Sequence, residues 1–350
     1  MSRWAADPER AADELIGRCL DAIGLGGRLL LANQAGSLPS LLAPRGIAFG
    51  VWNRRLAGPG EARAWPPAGP FDVALLRLAK AKDEQEMAAH ACLSVLAPAG
   101  RLIVYGGNDE GIRSAAGMLE KLCGGIETLA TRGHGRVVSV RPPADATSLR
   151  ASLTAWRSVV RFEIGGSARD WVTYPGIFAA DRIDEGTALL VGALPPLRAG
   201  ARALDYGCGS GVIGASTCAH APGIALDLLD SDSVALEAAC QNVPDARLVL
   251  GTRLADAGTA RYDAILSNPP LHKGHTEDHT QLEQLIAEAP AHLAPGGVLQ
   301  IVVQRRVPLD RLLAERFATV TIAAETSRFR VWRAGVSLSP SNFTMGRGLG

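Results

Sequence analysis

Short apolar runs alternate along the whole chain with segments whose apolar residues recur every three or four positions. That pattern predicts strands interleaved with amphipathic helices, hence α/β layers built on mostly parallel sheets. In the first half, strands are predicted at 28–31, 47–51, 71–76 and 101–104. Residues 83–96 read as a helix capped by Asp83, with Met87, Ala91 and Val95 at i, i+4 spacing. In the second half, a hairpin is predicted over 159–164 and 171–175 across Gly165-Gly166. Asp184 then caps a helix that runs to Leu194 and is stopped by Pro195-Pro196.

The two halves repeat one plan. Phe71-Asp72-Val73-Ala74-Leu75-Leu76 is echoed by Tyr262-Asp263-Ala264-Ile265-Leu266-Ser267, and Leu96-Ala97-Pro98-Ala99-Gly100 by Leu293-Ala294-Pro295-Gly296-Gly297. The order is the same and the separation similar, 28 residues from Asp72 to Gly100 and 34 from Asp263 to Gly297. A duplicated domain follows, each copy large enough to fold alone. The Pro-rich stretch Arg141-Pro142-Pro143-Ala144-Asp145-Ala146 reads as the junction. The expected organisation is a first domain over 1–143, a linker over 144–158, a second domain over 159–336 and a tail over 337–350.

Composition sharpens this outline. The chain of 350 residues is 47% hydrophobic and 20% charged, enough for two buried cores and too apolar for disorder. A net charge of +1 excludes a polybasic protein that holds nucleic acid by bulk charge. It hides an uneven distribution, because acids outnumber bases by seven over 221–290 and bases outnumber acids by five over 301–350. Arg305, Arg306, Arg328, Arg330 and Arg333 in that basic segment are candidates for a phosphate-binding rim, or else plain solubility residues on edge strands. No apolar run has the ~18 residues needed to cross a bilayer, and the first thirty residues lack a signal-peptide core, so a cytoplasmic protein with no membrane association is expected. The six cysteines are scattered and read as reduced, packed thiols. His275, Glu277 and His279 have irregular spacing in a polar loop, so no metal is expected there.

The candidate chemistry begins at Asp205-Tyr206-Gly207-Cys208-Gly209-Ser210-Gly211-Val212-Ile213-Gly214. An apolar strand enters a loop with glycine at alternate positions and a helix leaves it, which lets a ligand lie against bare amides at a helix N-terminus. Gly209-x-Gly211-x-x-Gly214 formally satisfies the dinucleotide fingerprint, with Asp230 placed about 20 residues on to hold a ribose diol. Two details favour S-adenosylmethionine over NAD. Asp205 can address the ammonium of a methionine moiety but sits badly beside a pyrophosphate. A second motif, Ser267-Asn268-Pro269-Pro270-Leu271-His272-Lys273-Gly274, follows another strand and has no use in a dehydrogenase. Two prolines hold the chain extended, so the Asn268 carboxamide and the Pro269 carbonyl become a fixed pair of acceptors. Such a pair grips a planar amino group, localises its lone pair and aims it at an electrophilic methyl group.

With these motifs the chain resembles the class I S-adenosylmethionine-dependent methyltransferases, and among them the bacterial tandem-domain ribosomal RNA guanine-N2 methyltransferases of the RsmC/RlmG group. The resemblance also rests on Pro175-Gly176-Ile177-Phe178, on Asp184-Glu185-Gly186-Thr187-Ala188-Leu189-Leu190, on Arg328-Phe329-Arg330-Val331-Trp332-Arg333 and, more loosely, on Ala79-Lys80-Ala81-Lys82 and Gly111-Ile112-Arg113-Ser114-Ala115. It implies two tandem Rossmann-like methyltransferase domains, the N-terminal one degenerate and serving RNA docking or support. The expected activity is methyl transfer from S-adenosyl-L-methionine to the N2 amine of a guanine in ribosomal RNA, the small subunit favoured, by a monomer. The expected cofactor site comprises Asp205, Gly207, Cys208, Gly209, Gly211, Asp230, Ser231 and Asn268. Asn268, Pro269 and Pro270 would carry catalysis, and Phe178, Leu271, His272 and Lys273 would contact the substrate. The family's usual aromatic after N-P-P is Leu271 here, so either Phe178 or another ring stacks the base or the substrate differs. His272 and Phe178 are equally open to plain structural roles. A methyltransferase acting on adenine N6 or on a protein glutamine shares N-P-P and stays open, as do an NAD-dependent oxidoreductase and a non-catalytic RNA-binding factor.

Overall fold

The computed structural model describes residues 8–33, 38–56, 61–132, 134–269, 272–273, 276–277 and 280–338. The chain divides into two compact units. One is Met1–Ser158 with Tyr174–Ile177 and Asp232–Val234, and the other is Val159–Thr173 with Phe178–Ser231 and Ala235–Gly350.

The first unit is a sheet of β1 (Leu29–Ala32), β2 (Phe49–Trp52), β3 (Phe71–Arg77), β4 (Leu96–Gly107), β5 (Glu127–Arg132) and β6 (Gly135–Val140) in the order β2-β1-β3-β4-β6-β5. The first four strands are parallel, and β6 and β5 are antiparallel additions. Successive residues face opposite sides. Leu29, Leu31, Val73, Leu75 and Ile103 pack with α1 (Pro8–Ile23) and α2 (Leu38–Leu42), whereas Leu30, Ala74, Leu76, Leu102 and Val104 pack with α3 (Lys82–Ser94) and α4 (Ile112–Cys123). Burial on both faces is why these strands read as unbroken apolar runs. Within this unit the buried Arg54 donates to Asp232 at 2.8 Å and to the Pro175 carbonyl at 2.6 Å, which ties in its two outlying segments.

The second unit opens with the hairpin β7 (Ser158–Ile164) and β8 (Ser167–Thr173). Its main sheet contains β9 (Arg202–Tyr206), β10 (Ala225–Asp230), β11 (Arg247–Leu250) and β12 (Tyr262–Ser267). A short ladder of β13 (His272–Lys273) with β14 (Thr276–Glu277) precedes β15 (Leu293–Gln304), β16 (Thr319–Glu325) and β17 (Phe329–Gly335). The sheet order is β11-β10-β9-β12-β15-β17-β16, with five parallel strands and an antiparallel pair at one side. The helices are α5 (Glu185–Val191), α6 (Val212–His220), α7 (Ser233–Asn242), α8 (Thr280–His292) and α9 (Asp310–Ala314).

Without the edge strand β11, the two sheet orders coincide strand for strand. The echoes seen in sequence have one geometric cause. In β3–β4 the register jumps between Phe71 and Val73, in β12–β15 between Tyr262 and Ala264, and each jump accommodates an Ala-Pro-x-Gly segment. A Cβ on Gly100 would lie 2.9 Å from the Ala97 carbonyl oxygen, and one on Gly297 would lie 2.7 Å from that of Tyr262. Asp72 and Asp263 repeat as well, accepting the amides of Arg28 (2.7 Å) and Arg202 (2.8 Å) before β1 and at the start of β9.

Two helix boundaries differ from expectation. α3 starts at Lys82 with Ala81 as a cap that lends no side chain, so Asp83 falls inside the first turn and accepts the Glu84 amide. α5 is capped by Asp184 as expected but ends at Val191, because Gly192 closes it before the prolines are reached. The expected tail lies outside the described residues beyond residue 338.

Gly100→Ala and Gly297→Ala should each cost about 1–3 kcal/mol, since the new methyl meets backbone and not a side chain that can yield. Gly117→Ala in α4, where a Cβ has open space, should be neutral or slightly stabilising. Thermal melts of the three variants check this, and equal melting temperatures would contradict it.

Candidate active site

In the second unit's sheet, β9 is followed spatially by β10 on one side and β12 on the other, so chain connections diverge at the β9 C-terminus. Ligands bind parallel sheets in the crevice at such a switch point. The register aligns three strand ends there, because Tyr206 pairs with Leu229 of β10 and with Ser267 of β12. Gly207, Asp230 and Asn268 therefore leave the sheet side by side. Ser267 Oγ donating to the Tyr206 carbonyl at 2.8 Å closes the β9–β12 junction.

The glycine loop takes the shape only glycines tolerate well. Gly207, Gly209 and Gly211 have φ of 71°, 54° and 90°, and open space surrounds the Cβ positions of Gly207 and Gly209. The amides of Gly207 and Cys208 donate to the Leu229 carbonyl at 2.8 and 3.0 Å, and the Gly209 amide donates to Asp230 Oδ2 at 2.8 Å. Asp230 thus holds the loop as well as facing it. Ser231 follows Asp230, half-buried, and Cys208 is buried in the loop. Two anchors escaped sequence reading. Trp171 donates from its indole to Ser210 Oγ at 2.9 Å, and Asn242 donates to the Ser210 carbonyl at 3.0 Å while pairing with Val172 through both its amide groups. Their distance along the chain from the loop leaves no periodic signal of the contact.

Asp205 is 0% exposed. One carboxylate oxygen accepts the Gly214 amide at 2.9 Å, and the other has no hydrogen-bond partner. Burial pushes its carboxyl up to about 7, with the Gly214 hydrogen bond opposing and the nearby Asp230 charge reinforcing the shift. A buried carboxylate with an unpartnered oxygen fits a cationic group of a ligand.

Asn268 is half-buried at the end of β12. Its Nδ2 donates to Asp184 Oδ2 at 3.2 Å and to Thr187 Oγ1 at 3.0 Å. Both described hydrogen bonds of this side chain leave from the nitrogen, so the carbonyl oxygen is the group available to a ligand. Pro269 is buried beside it, and Pro270 and Leu271 lie outside the described residues. His272 and Lys273 form β13. Phe178 is 72% exposed, which leaves its ring open to a partner and not in the core. Ala179 after it has φ 50°, a strained backbone for a residue other than glycine.

The candidate arginine rim is partly paired within the fold. Arg305 and Arg330 pair with Glu325, Arg328 pairs with Glu185, and Arg333 donates to Gln300 and the Ala193 carbonyl. His275 and His279 lie outside the described residues, and no group of three metal-ligating side chains occurs among the described ones. The position in the first unit that corresponds to Asn268 is Arg77, whose guanidinium makes a buried two-pronged pair with Glu110 at 2.9 and 2.6 Å. A closed ion pair thus stands where the second unit presents a carboxamide whose oxygen has no partner among the described residues.

The family model of the methyltransferase small domain matches residues 169–333, and that of its N-terminal domain matches residues 61–141. Ribosomal RNA small subunit methyltransferase C of Hahella chejuensis is 30% identical over 327 residues, which covers 89% of this chain and 94% of that protein. Its namesake from Alcanivorax borkumensis is 32% identical over 286 residues, covering 79% and 85%. The T. thermophilus 16S rRNA N2 methyltransferase RsmC, solved in complex with AdoMet and guanosine, superposes with a TM-score of 0.79 over 93% of this chain and 92% of that one, at 22% identity. That likeness establishes the tandem fold.

The raised carboxyl of Asp205 carries a stability consequence. Between the ordinary value of 3.8 and about 7, the folded protein holds a proton that the unfolded chain releases, so this group's contribution to stability falls as pH rises through that window. Asp205→Asn removes the dependence. Melting temperatures of the ligand-free proteins should show the wild type losing ground to the variant between pH 5 and 8, and parallel pH profiles would contradict the assignment.

Proposed function

The chain belongs to the ribosomal RNA small subunit methyltransferase C family, and from that premise we propose that it transfers a methyl group from S-adenosylmethionine to the exocyclic N2 amine of a guanine in small-subunit ribosomal RNA. The observation that carries the reading is the carboxamide of Asn268, its nitrogen held by Asp184 and Thr187 and its oxygen left for an amino group, one strand away from the glycine loop.

The residues fit the cofactor. The left-handed backbone at Gly207 and Gly209 lets a ligand approach the loop without meeting a Cβ. The unpartnered oxygen of Asp205 supplies the negative charge that a methionine ammonium requires. Asp230 stands at the end of the next strand, where a ribose hydroxyl would meet its carboxylate, and Ser231 continues that edge. Bound there, S-adenosylmethionine supplies an electrophilic methyl group on a sulfonium, which departs as a neutral thioether. Asn268 Oδ1 and the Pro269 carbonyl accept the hydrogens of the guanine amine, localise its lone pair and hold it in line with that methyl group. Methylation leaves the nitrogen positively charged and acidic, so its proton passes to water and no strong base is needed.

The target base leaves its stack to reach this crevice. Leu271 supplies no aromatic platform, and the exposed ring of Phe178 is the stacking surface in this reading, worth about 1–3 kcal/mol per base. His272 and Lys273 follow the motif in the chain and in this reading contact the RNA. Among the described residues no helix is long and apolar enough to cross a membrane, in keeping with action on ribosomes in the cytoplasm.

Small subunits, naked ribosomal RNA, DNA and protein incubated with radiolabelled S-adenosylmethionine, then digested to monomers, should place the label in N2-methylguanosine, with Asn268→Ala lowering the rate by about 10²–10³. Label in N6-methyladenosine or in protein would contradict the substrate. Cofactor affinity gives a second check. A cationic ammonium favours ionised Asp205, so binding measured by calorimetry should tighten about tenfold from pH 6 to 8 as that group titrates, and Asp205→Asn should abolish the slope.

A further inference from the structure

Asn268 can present either face of its carboxamide, and the two are chemically opposite. With Oδ1 toward the base it accepts from an amine, whereas with Nδ2 it would repel an amine and instead attract a ring nitrogen or carbonyl. Nothing in the N-P-P motif chooses between them. The choice is made on α5, where Asp184 Oδ2 and Thr187 Oγ1 lie 3.2 and 3.0 Å from Nδ2.

We propose that Thr187, acting with Asp184, is a positioning residue that locks the Asn268 carboxamide in its amine-accepting orientation, an inference that rests on the function proposed above. Nδ2 has two hydrogens and meets two acceptors, so both of its bonds are spent inside the protein. Turning the carboxamide over would lose the Asp184 bond and set Oδ1 against that carboxylate, lone pairs to lone pairs, while the Thr187 hydroxyl, which can donate as well as accept, would hold either end. The acceptors are themselves fixed. Asp184 is the N-cap of α5, its carboxylate taking the amides of Gly186 (3.0 Å) and Thr187 (3.3 Å), and Thr187 is a buried residue of the first turn. The helix cap and the amine grip thus share one carboxylate. Asp184 sets which end of the carboxamide faces α5, and the Thr187 hydroxyl, taking the second hydrogen of Nδ2, fixes the angle of the carboxamide plane in that orientation.

The test compares Thr187→Val, which keeps the shape and loses the hydroxyl, with Thr187→Ser, which keeps the hydroxyl and loses a methyl group. Positioning predicts that the valine variant loses about tenfold in kcat, equivalent to ~1.4 kcal/mol, with KM for S-adenosylmethionine unchanged, and that the serine variant recovers most of the rate. A packing role predicts the reverse order, with serine the worse of the two, and that result would overturn the proposal. Should the valine variant fail to fold, Thr187→Ala against Thr187→Ser makes the same comparison. Asn268→Ala run in parallel separates the two levels. If it is inactive while Thr187→Val keeps the wild-type rate, the positioning role falls and the assigned function stands. If it keeps the wild-type rate, the function assigned to Asn268 falls first and the positioning role with it.

Discussion

The proposed chemistry turns on a carboxylate that offers only lone pairs. Asp184 caps α5, and the same oxygen that takes the Thr187 amide also takes one hydrogen of the Asn268 carboxamide. An acceptor-only neighbour dictates which end of the carboxamide faces it, and the remaining end is a carbonyl oxygen directed to whatever enters the crevice. The glycine loop beside it has its own constraints, an Asp230 bond to Gly209 and the clamp of Trp171 and Asn242 on Ser210. In the proposed function Asp184, Thr187, Trp171 and Asn242 hold the ligand-facing groups without touching a ligand, and Asp230 both holds the loop and meets the cofactor, as a preorganised site requires.

The duplicated architecture explains how one copy came to lack this arrangement. Both units keep the features that make the fold: the strand order, the register jump at the Ala-Pro-x-Gly segment, and the aspartate that receives an amide from the chain entering the first central strand. They differ at the strand ends. Where the second unit leaves β12 with Asn268-Pro269 and a carboxamide oxygen without a partner among the described residues, the first ends β3 with Arg77 sealed against Glu110. A sealed ion pair stabilises a strand end and offers no acceptor to an amine. Fold and site are separable at this level, the one fixed by sheet registers and the other by a few residues beyond them.

What was legible in the sequence follows from this separation. The strand cores, the glycine loop and the Asn-Pro motif are local patterns and legible, because buried parallel strands are apolar throughout and the loop needs left-handed backbone. Strand ends are not: β4 runs Leu96–Gly107 where 101–104 is expected, and β8 runs Ser167–Thr173 where 171–175 is expected. Long-range pairings were not legible. Trp171 to Ser210, Thr187 to Asn268 and Arg328 to Glu185 join residues far apart in the chain, so the arginine segment looked more available than its ion pairs leave it. Helix starts were legible where a cap used its side chain, as at Asp184, or where a left-handed glycine preceded the helix, as at Gly211, and not at Ala81, which offers neither.

The most direct test of the account is a crystal structure of the protein with S-adenosylhomocysteine and guanosine. Asn268 Oδ1 should lie about 3 Å from the guanine N2 nitrogen, with Nδ2 still on Asp184 and Thr187. A guanine whose N2 lies away from Asn268, or a carboxamide that turns its nitrogen to the base, would contradict it.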